Sequence, residues 1–327
     1  VRRPAPRRLL ASAALVVLLA GCGTVPPPLP ETPPVEPVRP VGVQDPAVVP
    51  SGSPVPGRSC DPRASLRPPR VMPPPGRMPA GSTMARIVQR GRLVVGVDQT
   101  SYQFGFRDPF SGELTGFDVD IAREIARGLF GDPARIQFRA ISSADRIKVV
   151  QNGTVDMVVR TMTMNCERWR QVAFSTEYFT AGQRVLVTRD AKVRSIEDLG
   201  GRKVCAAIGS TSIGNIAAIR SKPVPVAVVD WTDCLVMLQQ NQVAAISTDD
   251  SILVGLARQD PNTQIVGPRF SDEPYGVAMP TAATDLVRFV NGVLERMRAD
   301  GTWTRLYNRW LTSLGPAPPP PAPRYRD

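Results

Sequence analysis

From residue 84 to about 312 the chain alternates short apolar runs with segments whose apolar residues recur at helical spacing. The clearest helix follows Gly116. Val119, Ile121, Ala122, Ile125, Ala126 and Leu129 share one face, and Asp118 and Asp120 stand where carboxylates cap free N–H groups and face the positive end of the dipole. The same pattern predicts helices at 83–90, 117–130, 143–152, 212–220, 233–241, 250–259 and 284–298. Between them it predicts strands at 93–97, 136–138, 157–159, 184–187, 204–208, 226–229 and 244–247. Strands alternating with helices argue for parallel α/β sheets. Roughly 230 residues is long for one sheet and comfortable for two lobes.

Chain breaks indicate where the lobes meet. Arg184-Val185-Leu186-Val187 is apolar enough to cross between them, and Asp272-Glu273-Pro274-Tyr275-Gly276 reads as the return crossing. The first lobe then comprises 83–184 and 275–312, the second 185–274. Nineteen of the 35 prolines lie between Cys22 and Thr83, and six more follow from Pro316. Proline-rich segments bury little apolar surface against chain entropy. Residues 22–82 therefore read as a tether and 313–327 as a disordered tail. At the other end Arg2, Arg3, Arg7 and Arg8 precede an apolar run from Leu9 to Ala20, closing in Leu19-Ala20-Gly21-Cys22. This is the layout of a secretory signal over 1–21, too short to span a bilayer.

Composition narrows the chemistry. The absence of histidine removes Ser-His-Asp and Cys-His catalysis and every His-ligated metal site. Four of the formal +11 charges lie in the signal and the rest are spread among acids, which argues against a nucleic-acid partner. After Cys22 four cysteines remain, and an even count in an exported chain favours disulfides. Cys205 on a second-lobe strand and Cys234 on a second-lobe helix are credible partners, leaving Cys60 to pair with Cys166. Without a Cys-x-x-Cys motif or a histidine, neither a metal nor a cofactor is expected.

Several blocks occur in an order that resembles the bacterial extracellular solute-binding proteins of family 3, the amino-acid receptors of ABC importers. They are Gly116-Phe117-Asp118-Val119-Asp120-Ile121; Val155-Asp156-Met157-Val158-Val159 with Thr161-Met162-Thr163 and Glu167-Arg168; Val172-Ala173-Phe174-Ser175; Gly209-Ser210-Thr211-Ser212; Ser247-Thr248-Asp249-Asp250; and Asp300-Gly301-Thr302-Trp303. The resemblance implies a two-lobed periplasmic-binding-protein-like fold of type II, with a discontinuous first lobe and an inserted second one. Leu19-Ala20-Gly21-Cys22 likewise resembles the lipobox, which implies acylation of Cys22 and an extracytoplasmic anchor on the outer face of the cytoplasmic membrane.

A free amino acid brings a carboxylate and an ammonium, and removing both from water costs several kcal/mol per ion unless each is paired. Arg168 offers a planar fork for the carboxylate, with the backbone N–H groups of Thr163 and Thr211 as further donors. Asp249, the Thr163 hydroxyl and the Thr161 carbonyl are acceptors for the ammonium, and the resemblance assigns these positions the same roles. Asp250 reads as the cap of the helix at 250–259, although either aspartate could serve as ligand. Ser142-Ser143-Ala144-Asp145-Arg146 resembles the Ser-x-Asn-Arg segment of glutamate/aspartate-type members, with Asp145 in place of the asparagine; there Ser143 and Arg146 hold a side-chain carboxylate. No aromatic near Ser143 stands ready to stack on the ligand. Asp98, with Tyr102 and Phe106, is a further candidate lining, the aromatic pair being equally explicable as core.

The expectation is a monomeric, lipid-anchored binding protein, not an enzyme. It captures glutamate/aspartate or glutamine/asparagine by hinge closure and presents the closed form to an ABC permease. A sensor domain feeding a membrane signalling partner is the alternative, and a periplasmic dehydratase on the same fold a more remote one.

Overall fold

The computed structural model describes residues 37–49 and 60–327; the expected signal, Cys22 and residues 22–36 and 50–59 of the expected tether lie outside them. In the first lobe a five-stranded sheet runs in the order Ile136–Ala140, Leu93–Val97, Met157–Val158, Ala278–Met279, Ala173–Phe174. Its first three strands are parallel and its last two antiparallel to their neighbours. The second lobe has the order Val224–Val228, Lys203–Ala207, Ala245–Asp249, Gln183–Thr188, Thr263–Val266. Each lobe has its own apolar core. The fold is thus α/β and two-lobed, with all five strands of the second sheet inserted between strands of the first.

The crossing differs from the sequence reading. Gln183–Thr188 is an interior strand of the second sheet, and the chain crosses earlier, at Phe179–Ala181. That segment pairs antiparallel with the return crossing, Glu273–Tyr275. An interior strand and a crossing strand are both apolar, so hydrophobicity alone does not separate them. Around the crossings Phe104, Phe117, Tyr178, Phe179, Tyr275, Trp303 and Tyr307 pack ring on ring.

The helix Phe117–Phe130 forms as its periodicity demands, and Gly116 explains its entry. Gly116 has φ +129°, and a Cβ there would sit 2.3 Å from the Phe104 carbonyl oxygen. Only glycine allows this approach, which lets Asp118 N–H reach the same oxygen at 3.0 Å. Neither Asp118 nor Asp120 caps the helix. Asp118 turns toward Thr161 and Tyr178, and Asp120 takes the Trp310 indole N–H at 2.7 Å.

Among the described residues, both proline-rich ends are more structured than their composition suggests. Gln44 exchanges backbone hydrogen bonds of 2.8 and 2.9 Å with Ala227, and Ala47 N–H reaches the Pro225 carbonyl at 2.8 Å. Residues 44–47 thereby cover the edge of the second sheet, where Pro225 is tolerated. Leu66, Met72 and Met78 pack on the first core, so residues 60–82 belong to that lobe and are not a free tether. The tail is not disordered either. Arg324–Tyr325 pairs in parallel with Ala64–Ser65, Asp327 accepts from Arg67 N–H at 2.8 Å and pairs with Arg288, and Arg326 lies over the Trp169 ring. Cys60 is bridged to Cys166 and Cys205 to Cys234, with Cα separations of 6.0 and 5.6 Å.

Candidate functional site

A narrow polar cavity of about 10 Å³, room for one water, lies between the lobes. Ser143, Arg146, Thr161, Thr163 and Arg168 line it from the first lobe, and Ser210, Thr211, Ser212, Trp231, Thr248, Asp249 and Ile252 from the second. All the site residues read from sequence are brought together here except Asp98.

Arg168 stands on the short helix Cys166–Trp169, whose cap, Asn165, accepts from Arg168 N–H at 2.8 Å. Its guanidinium is buried and donates to the Thr163 carbonyl at 2.8 Å and to the Gly209 carbonyl at 3.2 Å. Burial pulls it below its ordinary value, against the opposing pull of Glu273 and Asp249. Arg146, at the start of the helix Arg146–Gln151, donates to the Ser143 carbonyl at 2.9 Å and to Gly209 at 3.0 Å. Burial, then Arg168 and Arg160, pulls it well below its ordinary value. Two guanidinium groups of one lobe therefore meet a single carbonyl of the other. Gly209 permits this because a Cβ there would lie 2.7 Å from Ala144 Cα.

Asp249 ends the strand Ala245–Asp249 inside the cavity. Its Oδ2 accepts from the Tyr275 hydroxyl at 2.5 Å, and its Oδ1 is buried without a partner. Burial and the nearby Glu273 push its carboxyl well above the usual range. Asp250 does not line this cavity. Arg269 donates to it at 2.6 Å and Ser251 N–H at 2.9 Å, so the two neighbouring aspartates have separate surroundings.

Asp98 is a correction to the sequence reading. Its oxygens are taken by Gln99 N–H at 2.7 Å and the Ser101 hydroxyl at 2.6 Å, and Arg160 lies 3.0 Å away. These donors belong to the chain itself, and Asp98 is absent from the cavity wall. Tyr102 and Phe106 form an edge-on pair with centroids 5.2 Å apart, also outside it.

Four residues escaped the sequence reading. Arg160, fully buried, donates to the Ser143 hydroxyl at 2.5 Å and the Ile141 carbonyl at 2.8 Å; an arginine ending the apolar run Val158-Val159 was the available signal. Asp118, read only as a cap, accepts from Thr161 N–H at 2.8 Å. Trp231 enters the cavity from the second lobe, with its indole nitrogen buried and unpartnered, so an aromatic does stand with Ser143. Glu273, on the return crossing, accepts from Thr163 and Thr211.

A buried guanidinium facing a buried, half-paired carboxylate across two lobes is suited to a zwitterion. The family model of the bacterial extracellular solute-binding proteins, family 3, matches residues 93–313, which contain every residue of this cavity. The chain belongs to that family. Among relatives of this family 3 protein is the ABC transporter glutamine-binding protein GlnH of Bacillus subtilis, 39% identical over 70% of this chain and 84% of that one. The glutamate-binding protein GluB of Corynebacterium glutamicum is 30% identical over 69% and 80%. Among solved structures, an ancestral arginine-binding protein bound to glutamine superposes with a TM-score of 0.62 at 35% identity, covering 68% of this chain and 98% of that one.

Proposed function

We propose that this protein is the extracytoplasmic receptor of an ABC importer and captures glutamine or glutamate, or their shorter homologues, by closing its two lobes on the ligand. The observation that carries the reading is the pairing of Arg168 and Asp249 from opposite lobes on one buried cavity. Arg168 takes the α-carboxylate, with N–H groups of Thr163 and Thr211 in support. Asp249 takes the ammonium with the Thr163 hydroxyl and the Thr161 carbonyl. Ser143 and Arg146, joined by Trp231, meet the side chain. A guanidinium at that end disfavours a cationic ligand by several kcal/mol and suits an amide or carboxylate. The names of the relatives, glutamine- and glutamate-binding, agree.

Calorimetric titration with the twenty amino acids tests this: glutamine, glutamate or their homologues bind, and preferential binding of arginine or leucine overturns it. The anchor belongs to the same proposal. Cys22 carries the lipid, so Cys22→Ala releases the protein from the membrane fraction with ligand affinity unchanged; a variant that stays membrane-bound refutes the assignment.

A further inference from the structure

Glu273 is buried on the return crossing between the lobes and lies outside the cavity wall. Its carboxylate is filled from both sides. Oε2 accepts from the Thr163 hydroxyl of the first lobe at 2.6 Å and from the Thr211 hydroxyl of the second at 2.9 Å. Oε1 accepts from Asn215 Nδ2 at 2.9 Å and from the Ser271 hydroxyl at 2.7 Å. A threonine hydroxyl has one proton and two lone pairs. With that proton given to Glu273, each of the two threonines can only accept from anything in the cavity. The remaining acceptors at this end are the Thr161 carbonyl and Asp249 Oδ1, the latter buried and without a partner.

We propose that Glu273 is a positioning residue that makes the ammonium end of the cavity acceptor-only, and so selects ligands bearing an α-ammonium over those lacking one. This rests on the amino-acid reading above and names the residue, outside the cavity, that enforces it. The orientation depends on Glu273 being acceptor-only itself. An amide in its place must turn its NH2 group toward a neighbour. A threonine that accepts from this NH2 is free to aim its own proton into the cavity, against the ammonium. Because Thr163 and Thr211 come from different lobes, the selection is complete only when the lobes are together.

The test compares two ligands on two proteins. The parent is titrated with whichever of glutamine and glutamate it binds, and with the counterpart lacking the amino group, glutaramate or glutarate. Both titrations are repeated on Glu273→Gln, with thermal unfolding as the check that it is folded. The expected result is a loss of about tenfold or more for the amino acid, the worth of a hydrogen bond to a charged group, and less than about twofold for the des-amino compound. Discrimination between the two therefore shrinks. Equal weakening of both ligands makes Glu273 a structural hinge residue and overturns the inference, as does no change in either. A parent that binds no amino acid overturns the amino-acid reading itself, and this inference with it. Should Glu273→Gln not fold, Thr211→Val removes one acceptor at nearly constant volume and is read the same way: selective loss of the amino acid supports the inference, and parallel loss refutes it.

Discussion

The Asp118 carboxylate accepts the backbone N–H of Thr161 at 2.8 Å and thereby holds that threonine at φ +38°, in the left-handed region. A β-branched residue reaches this region only when its surroundings over-determine it, and such strain collects at functional sites. The Tyr178 hydroxyl, 2.8 Å from the other oxygen, completes the clamp. The Thr161 carbonyl is turned toward Arg146 at 3.3 Å. The first aspartate of the helix at Phe117–Phe130 therefore shapes the cavity wall.

Asp118 carries a pH signature. Burial pushes its carboxyl from the ordinary 3.8 up to about 7, against the hydrogen bonds from Tyr178 and Thr161 that favour the charged form. Between those values the folded state holds a proton that the unfolded chain has released. The stability owed to this group is full below 3.8 and is lost as pH rises through about 7. Asp118→Asn removes the titration. Denaturant unfolding of parent and variant from about pH 4 to 8 should show the parent losing stability more steeply as pH rises, and parallel curves would refute the assignment.

On the proposed reading Arg168 holds the ligand carboxylate. Arg168→Ala leaves the ligand carboxylate desolvated and unpaired, a loss of about 2–5 kcal/mol for a buried charge partner. Arg168→Lys is also harmful, because a point charge cannot reproduce a fork that holds both the Thr163 and Gly209 carbonyls. Calorimetry with glutamine and glutamate reads both. If either variant binds as the parent does, Arg168 is not the carboxylate clamp.

Removal of the tail is expected to destabilise the first lobe and to leave ligand binding unchanged. Ending the chain after Gly315 removes the Arg324–Tyr325 pairing, the Asp327 contacts with Arg67 and Arg288, and the packing of Ala317 on the core. Exposed ion pairs contribute little, about 0–1 kcal/mol, so the main loss is the strand pairing and the cover it provides. A drop in Tm of about 2–4 °C per kcal/mol lost is expected for a chain of this size, with ligand affinity unchanged. An unaltered melting curve would mean that the tail contributes nothing.

Much of the architecture was written locally in the sequence. The helix at Thr83–Arg90 has Ser82 accepting from Ala85 N–H at one end and Gly91 at φ +85° at the other. The helices Phe117–Phe130 and Asp250–Gln259 follow their apolar periodicity to the residue. Arg168, Asp249, Ser143 and Arg146 were recognisable because the blocks around them resemble those of family 3 members, not from periodicity or charge alone. What the sequence could not show lies at contacts between distant residues. Strands of two or three residues, such as Ala173–Phe174, Phe179–Ala181 and Ala278–Met279, have no periodicity of their own and exist through the partners that pair with them. Asp98 looked like a ligand until Arg160, far along the chain, was found beside it. Proline-rich ends cannot build a core but can lie extended on one already formed, as residues 44–47 and 324–325 do. Glu273 read as a linker residue, and its place became visible only when the fold brought Thr163, 110 positions away, and Thr211, 62 positions away, to one oxygen. Local signals act through backbone sterics and nearest turns, whereas the polarity of a buried site depends on which donors the closed lobes bring together.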